Sequence, residues 1–365
     1  MEALNEEALE VLGRIFKDRI RQHMTPKGDR DAEGHLAVVL PVSAEEVELL
    51  AEVAERYSVS LVAEGARTLP ALETNPEQGS ILVRFDLMRR TRLPEDPEEA
   101  WLEAEPGAVW LELDEDLRLR GRGLTVYPTS APLATVGGWL ALDGLGVGSF
   151  EYGWLSENVL SADVVLPGGG RQTVRGETLR SFVGPGGGGI VVGAKLSTRS
   201  VEGDLPFGIA FESSKDLVDA VRGVFYSGAP LWHLAFMNPR MALARGHGEK
   251  HLLFGAYVHE RAASIEDVLR DVPAVRYGRV LPPGDAYRIW TERFFPVAPS
   301  HPTPNATREF VSVAKLPEAL GGERDRPEQA IQGTVARSGE VLLLNVDLIE
   351  EGWEGPGDGL QKGEV

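Results

Sequence analysis

The chain has 365 residues, 42% of them hydrophobic and 25% charged, a globular balance with room for two domains and a sizeable core. Lys+Arg 37 against Asp+Glu 56 leaves a formal net charge of -19, which repels phosphate backbones at long range and excludes nucleic acid as a default partner. The absence of cysteine excludes disulfides, thiolate metal sites and Cys nucleophiles. No run approaches a membrane span, and Glu2, Glu6 and Glu7 interrupt the N-terminus where an export signal needs an apolar core, so the expected location is the cytoplasm.

Leu9, Leu12, Phe16 and Ile20 fall near one face and predict an amphipathic helix over 5–22. HLAVVLP predicts a strand ending at Pro41, after which Ser43 and Glu46 form a capping box for the helix AEEVELLAEVAERY. VSLVAEG reads as a buried strand and SILVRFDL, from Ser80, as another. Trp101–Ala104 and Val109–Leu113 read as two strands or as a strand and a helix. Residues 117–126 give a helix end and a Gly turn, and LSADVVLPGGG and GIVVGAKL are strand patterns. Alternation of strands and helices excludes a helical bundle and leaves α/β or α+β. VEGDLP marks a break near 201–206, followed by a helix at 214–223, the strands HLLFGAYV and VLLLNVDLI, and a helix GDAYRIWTERFF containing Trp290. The expected organisation is a helix and linker over 1–34, domains over 35–200 and 207–348, and a loose, charged tail over 349–365.

The 42 glycines cluster in VAEGARTLP (62–70), PLATVGGWLALDGLGVGSFEYG (132–153) and FVGPGGGGIVVGAKL (182–196). Glycine permits φ > 0 and close backbone approach, and successive N–H groups in such turns cradle anions. Val136, Trp139, Leu142 and Leu145 offer walls for a flat ring. Gly144, Gly146 and Gly148 do not complete the dinucleotide fingerprint, because Ser149 stands where a third Gly belongs, and 184–189 lacks the Lys-Ser/Thr of a P-loop. From the residues alone, anion-binding loops and tight structural turns are equal alternatives.

The order and spacing from about Gly13 to Ser200 resemble the FAD-binding domain of the p-cresol methylhydroxylase (PCMH) and vanillyl-alcohol oxidase superfamily, especially its glycolate oxidase subunits and D-lactate dehydrogenases. The resemblance is carried by AVVLPVSAEEVELLAEVAERYSVSLVAEG, AEPGAVWLEL, TVYPTS, ATVGGWLALDGLGVGSFEYGWLSENVLSADVVLPGG and FVGPGGGGIVVGAKL. It implies an α+β chain: a PCMH-type FAD-binding domain of two α/β subdomains, then a reduced α+β substrate (cap) domain. It implies that the backbone of Glu64, Gly65, Ala66, Arg67 and Thr68 faces the FAD diphosphate. Pro128, Thr135, Val136, Gly137, Gly138, Asp143, Gly144, Gly146, Val147, Gly148, Ser149 and Tyr152 would line the cofactor, and Gly189, Ile190 and Val191 would touch it through backbone groups. Where the family reads Pro-Arg-Gly-Gly-Gly-Thr-Ser, this chain reads Ala63-Glu64-Gly65-Ala66-Arg67-Thr68-Leu69. Glu64 brings a carboxylate toward a diphosphate, Arg67 can compensate, and no His is present for a covalent link.

In the second half, YRIWTERFFP resembles the family's Trp-x-x-Arg helix. Arg293 is then a carboxylate anchor, or else a surface Arg beside a buried Trp290. Tyr152, Tyr287 and His301 are candidates for proton transfer, though none has a tuning partner in the sequence. A His-rich metal segment of the 2-hydroxy-acid oxidising relatives is replaced by IQGTVARSGEVLLL, so no metal site is expected. HGEKH, with His247 and His251, reads as a turn with two exposed histidines. The resemblance implies a non-covalent FAD oxidoreductase, or a subunit of one, acting on a small 2-hydroxy acid such as glycolate or D-lactate. The alternative is a non-catalytic accessory or scaffold subunit of a glycolate oxidase-like complex, beside sister chains, with degenerate or absent FAD binding.

Overall fold

The computed structural model describes residues 2–22, 35–68, 79–96, 98–201, 203–259, 264–294, 306–321 and 329–347. His301 and the tail 349–365 lie outside them.

The first sheet comprises α1 (Glu2–Phe16), β1 (Ile20–Gln22), β2 (His35–Val39), α2 (Ala44–Tyr57), β3 (Leu61–Glu64) and β4 (Ser80–Arg84), with strand order β1-β2-β4-β3. Leu12 and Phe16 of α1 and Val47 and Leu50 of α2 pack on Val39, Ile81 and Val83. The N-terminal helix is shorter than the predicted 5–22. Lys17 sits at φ 52, a conformation an α-helix cannot hold, and Ile20 pairs with Val39 in the sheet. Ser43 Oγ accepts from Glu46 N, and the Glu46 carboxylate reaches back to Val42 N at 2.9 Å, one residue earlier than a standard capping box. β3 is an edge strand with β4 as its neighbour, so Leu61 and Val62 are half-exposed, which corrects the expected burial of VSLVAEG.

The second sheet contains β5 (Thr91–Arg92), β6 (Trp101–Ala104), α3 (Trp110–Arg118), β7 (Arg122–Leu124), α4 (Val136–Leu140), α5 (Ser149–Tyr152), β8 (Val159–Val165), β9 (Arg171–Val174) and β10 (Ile190–Ser200). Its order is β5-β6-β10-β8-β9, with β7 extending β10. Leu102, Ala104, Ala162, Val164, Ala194 and Leu196 face Trp110, Leu113, Leu117 and Trp139; the two Trp rings meet edge to face at 5.1 Å. Val165 and Val192 turn the other way into the core of the first sheet, locking the two sheets together.

The third sheet is antiparallel and built from β11 (Asp204–Phe211), α6 (Ser214–Ser227), β12 (Leu231–Met237), α7 (Pro239–Ala244), β13 (His251–Val258), α8 (Ile265–Val268), β14 (Arg279–Val280), α9 (Pro283–Thr291), β15 (Ala306–Ser312), α10 (Leu316–Gly321), β16 (Gln329–Val335) and β17 (Glu340–Asp347). Its order is β14-β11-β13-β12-β16-β17-β15. α6 and α10 bury Leu217, Val221, Val224 and Leu320 on one face; α7 and α9 bring Met241 and Ile289 to the other. The expectation of two exposed histidines in HGEKH is corrected: His251 opens β13 and is buried, and only 2% of the His247 side chain is exposed.

A buried charge network joins the second and third sheets. Arg199 of β10 makes a bidentate pair with Asp204 of β11 at 2.8 and 2.6 Å and lies 3.6 Å from the centre of the Trp232 ring. Trp232 donates in turn to the Thr125 carbonyl at 3.2 Å. Removing one member of a buried pair strands the other charge. Asp204→Ala is therefore expected to lower unfolding free energy by about 3–5 kcal/mol, read from urea unfolding; a loss under about 1 kcal/mol, the range of exposed pairs, would refute this account of the joint.

Candidate functional site

Three Gly-rich turns meet at the ends of the first two sheets. β3 delivers Gly65, where an added Cβ would lie 2.9 Å from both Gly138 Cα and Thr135 Oγ1; the first and second turns touch backbone to backbone. Thr68 Oγ1 lies 3.3 Å from Ser130 Oγ, tying the first turn to the segment after Pro128. Gly184, at φ 103, donates to the Leu140 carbonyl at 2.9 Å, and a Cβ there would lie 3.6 Å from Asp143 Cβ. These contacts bring the third turn against the second.

The turns differ in their available donors. Among the described residues, the amides of Gly65 and Ala66 take no backbone acceptor. Arg67 holds φ 48, and its guanidinium pairs with Glu64. The carboxylate that opposed a diphosphate is thus neutralised within the loop, and Arg67 is engaged there as well. In the second turn, Val136 N donates to Ala108 O and Gly137 N to Pro106 O, both at 2.8 Å, while Gly138 N faces Thr135 Oγ1 at 3.4 Å. Asp143 Oδ1 accepts from Gly144 N and Ser156 N. Gly146 N donates to Ser149 Oγ at 2.9 Å, Val147 exchanges bonds with Tyr127, and Ser149 and Tyr152 amides return to Gly146 and Gly148 carbonyls. Ile190 and Val191 pair with Val165 and Val164.

The expectation that amides of all three turns point to one anion is corrected for the second turn, whose Val136, Gly137, Gly146, Val147 and Gly148 amides go to Ala108, Pro106, Ser149, Tyr127 and His233, and several of the glycines serve close packing. A Cβ on Gly146 would sit 2.1 Å from the Tyr127 carbonyl oxygen, and one on Gly189 would sit 2.6 Å from Val164 Cγ1. Val136, Trp139 and Leu145, expected as walls for a ring, are core residues.

The third sheet completes the site. His233 Nδ1 accepts from Gly148 N at 3.3 Å, which fixes the neutral ring with its proton on Nε2. Burial first, and then the Arg293 charge, push His233 down to about 3. Arg293 is buried. Its Nε and Nη2 donate to the Tyr127 hydroxyl at 3.1 and 2.8 Å, and Nη1 donates to the Trp290 carbonyl at 2.7 Å. Burial raises the Tyr127 phenol, so it stays protonated. Arg245 donates to the carbonyls of Glu292 and Phe294, and Gln332 Nε2 to that of Arg293 at 3.3 Å; three consecutive carbonyls are gripped. Tyr287 stands half-exposed on α9, with Tyr257 among its electrostatic neighbours, and is not brought to Arg293. Tyr127, His233, Arg245 and Gln332 were not singled out from sequence. The available signal was a polar residue inside an apolar strand, as in LWHLAFM, which demands a buried partner.

The fold is of the PCMH type, and residues 35–175 match the family model described as FAD binding domain. The chain is similar to the mitochondrial D-lactate dehydrogenase [cytochrome] of Arabidopsis thaliana, 34% identical over 132 residues, covering 36% of this chain and 23% of that protein. It is also similar to glycolate oxidase subunit GlcD of Bacillus subtilis, 25% identical over 133 residues, 36% of this chain and 28% of that one. The matches span less than half the length of the curated relatives. The fold is shared with p-cresol methylhydroxylase solved with substrate bound (TM-score 0.75, 14% identity, 95% of this chain and 84% of that chain). The first turn fits the diphosphate of FAD: open amides at Gly65 and Ala66, hydroxyls at Thr68 and Ser130, and a Glu64 charge cancelled by Arg67.

His233 gives a pH signature. Below about pH 6.5 the unfolded chain takes up a proton that folded His233 refuses until about pH 3, so its contribution lowers stability as pH falls through that window, by up to about 1.4 kcal/mol per unit. His233→Asn is expected to remove that share of the slope in urea titrations from about pH 6 to about pH 4; an unchanged slope would show that His233 titrates normally.

Proposed function

We propose that the chain is an FAD-dependent oxidoreductase, or the FAD-carrying subunit of one, that oxidises a small 2-hydroxy acid of the glycolate or D-lactate type. The observation that carries this reading is the backbone contact of Gly65 with Gly138 beneath the open amides of the first turn. Bound FAD supplies a hydride acceptor for the carbon bearing the hydroxyl. Gly65, Ala66, Thr68 and Ser130 hold its diphosphate. Pro128, Thr135–Gly138, Asp143–Ser149, Tyr152 and Gly189–Val191 shape the surrounding wall by packing. With no cysteine in the chain and no His in 64–68, the cofactor is held without a covalent bond. The substrate class rests on the likeness to relatives named D-lactate dehydrogenase and glycolate oxidase subunit.

A second reading is an accessory subunit beside sister chains of an oxidase complex. It is favoured by the commitment of Arg293 to Tyr127 and the Trp290 carbonyl, and by the outward placement of Tyr287. Absorbance spectra separate the readings. The first expects flavin bands released by acid and bleached by glycolate or D-lactate without oxygen. Flavin bands that no 2-hydroxy acid bleaches, or a colourless chain that ignores added FAD, would overturn the first reading and leave the accessory subunit. Gly65→Ala, which drives a methyl against Gly138, is expected to weaken FAD at least about tenfold, equal to 1.4 kcal/mol, by fluorescence titration. Equal affinity would remove the first turn from the site.

A further inference from the structure

Along β15, Ala306, Arg308 and Phe310 share one face of the strand. Ala306 is buried in the core that also holds Leu145, Leu342 and Leu344, and Phe310 stacks on Trp154 with ring centres 5.2 Å apart and planes at 26°. That face therefore lies over the segment from Leu145 to Trp154, the continuation of the second Gly-rich turn. Arg308 stands between the two contacts, with Leu344 directly opposite on β17.

Arg308 differs from three buried arginines of the chain. Arg293 is bound to Tyr127 and a carbonyl, Arg245 to two carbonyls, and Arg199 to Asp204. Arg308 is half-buried and takes no hydrogen-bond or ion-pair partner among the described residues. Glu309, the adjacent carboxylate, falls on the opposite face of the strand. Burial lowers the guanidinium from its ordinary value, with no charge offsetting it. Desolvating a cation without a partner is costly. On the same face, one strand beyond Leu344, Gln332 is paired with that residue, and its Oε1 is buried with no partner. Arg308 and Gln332 thus flank Leu344 on one face of the sheet, with backbones roughly 10 Å apart, two strand spacings; among the described residues the guanidinium and Gln332 Oε1 both lack partners.

We propose that Arg308 is the carboxylate anchor of this chain, taking the acid group of a small hydroxy acid through paired N–H donors, with Gln332 Oε1 accepting from the ligand's hydroxyl. This rests on the 2-hydroxy-acid reading above for the ligand's class. It moves the anchor from Arg293, whose donors are largely spent, to the open guanidinium on β15. A charge-assisted bidentate contact distinguishes a carboxylate from the matching amide.

The test is calorimetric titration of the full chain, with FAD added, by oxalate, a carboxylate probe that cannot donate a hydride, and by oxamide, its neutral counterpart. Oxalate is expected to bind and oxamide not to compete. Arg308→Met should weaken oxalate roughly 10- to 100-fold, and Arg308→Lys by less. Equal oxalate affinity in wild type and Arg308→Met, equal binding of oxalate and oxamide, or no oxalate binding by wild type overturns the proposal. Should Arg308→Met fail to fold, the oxalate–oxamide comparison in wild type and the Arg308→Lys affinity decide alone. Flavin absorbance, recorded on the same samples, is expected to be equal in wild type and Arg308→Met. Its absence from wild type counts against the cofactor reading and leaves the oxalate comparison standing.

Discussion

Two glycine backbones pressed together, Gly65 against Gly138, are the constraint on which the rest of the site depends. No side chain fits between them, so the chain leaving the edge strand of the first sheet runs directly against the short helix of the second. That contact leaves the amides of Gly65 and Ala66 open, and it fixes Thr68 beside Ser130. In the second turn, Gly146 and Gly148 let main chain approach main chain at Tyr127 and Thr125, and the amides of Gly137 and Gly148 are taken by Pro106 and His233. The outcome is a stiff platform with its polar donors concentrated at one edge.

Much of the architecture was legible because apolar periodicity and Gly clusters are local signals. The Ser43 cap, the strands at 101–104, 251–258 and 340–347, and the helix carrying Trp290 emerge where the patterns place them. The failures have physical causes. The first helix ended early because Lys17 leaves the helical region and Ile20 found a partner in Val39. VSLVAEG, apolar enough for a central strand, went to an edge, a matter of sheet order that sequence pattern does not encode. His247 and His251, polar and near glycines, were drawn inward by the third sheet.

The three Gly-rich segments were legible and meet in space, but which amides stay open depends on partners far along the chain: Pro106 and Ala108 for Gly137 and Val136, His233 for Gly148. Arg293 was recognised by its motif, while its commitment to Tyr127 across 166 positions could not be read from either segment. Arg308 carried no motif at all; its interest comes from having no partner among the described residues, where Arg199, Arg245 and Arg293 each have one.

The bond from Gly148 to His233 has a consequence for how the molecule can be cut. α5 is capped from the far side of the chain: Arg337 N also donates to the Ser149 carbonyl at 3.0 Å, and Phe150 is buried in the core of the third sheet. A fragment ending after β10 would leave the Gly148 amide without its acceptor and turn Phe150 out into water. The last turn of the half that ends at β10 is thus completed by the half that follows it.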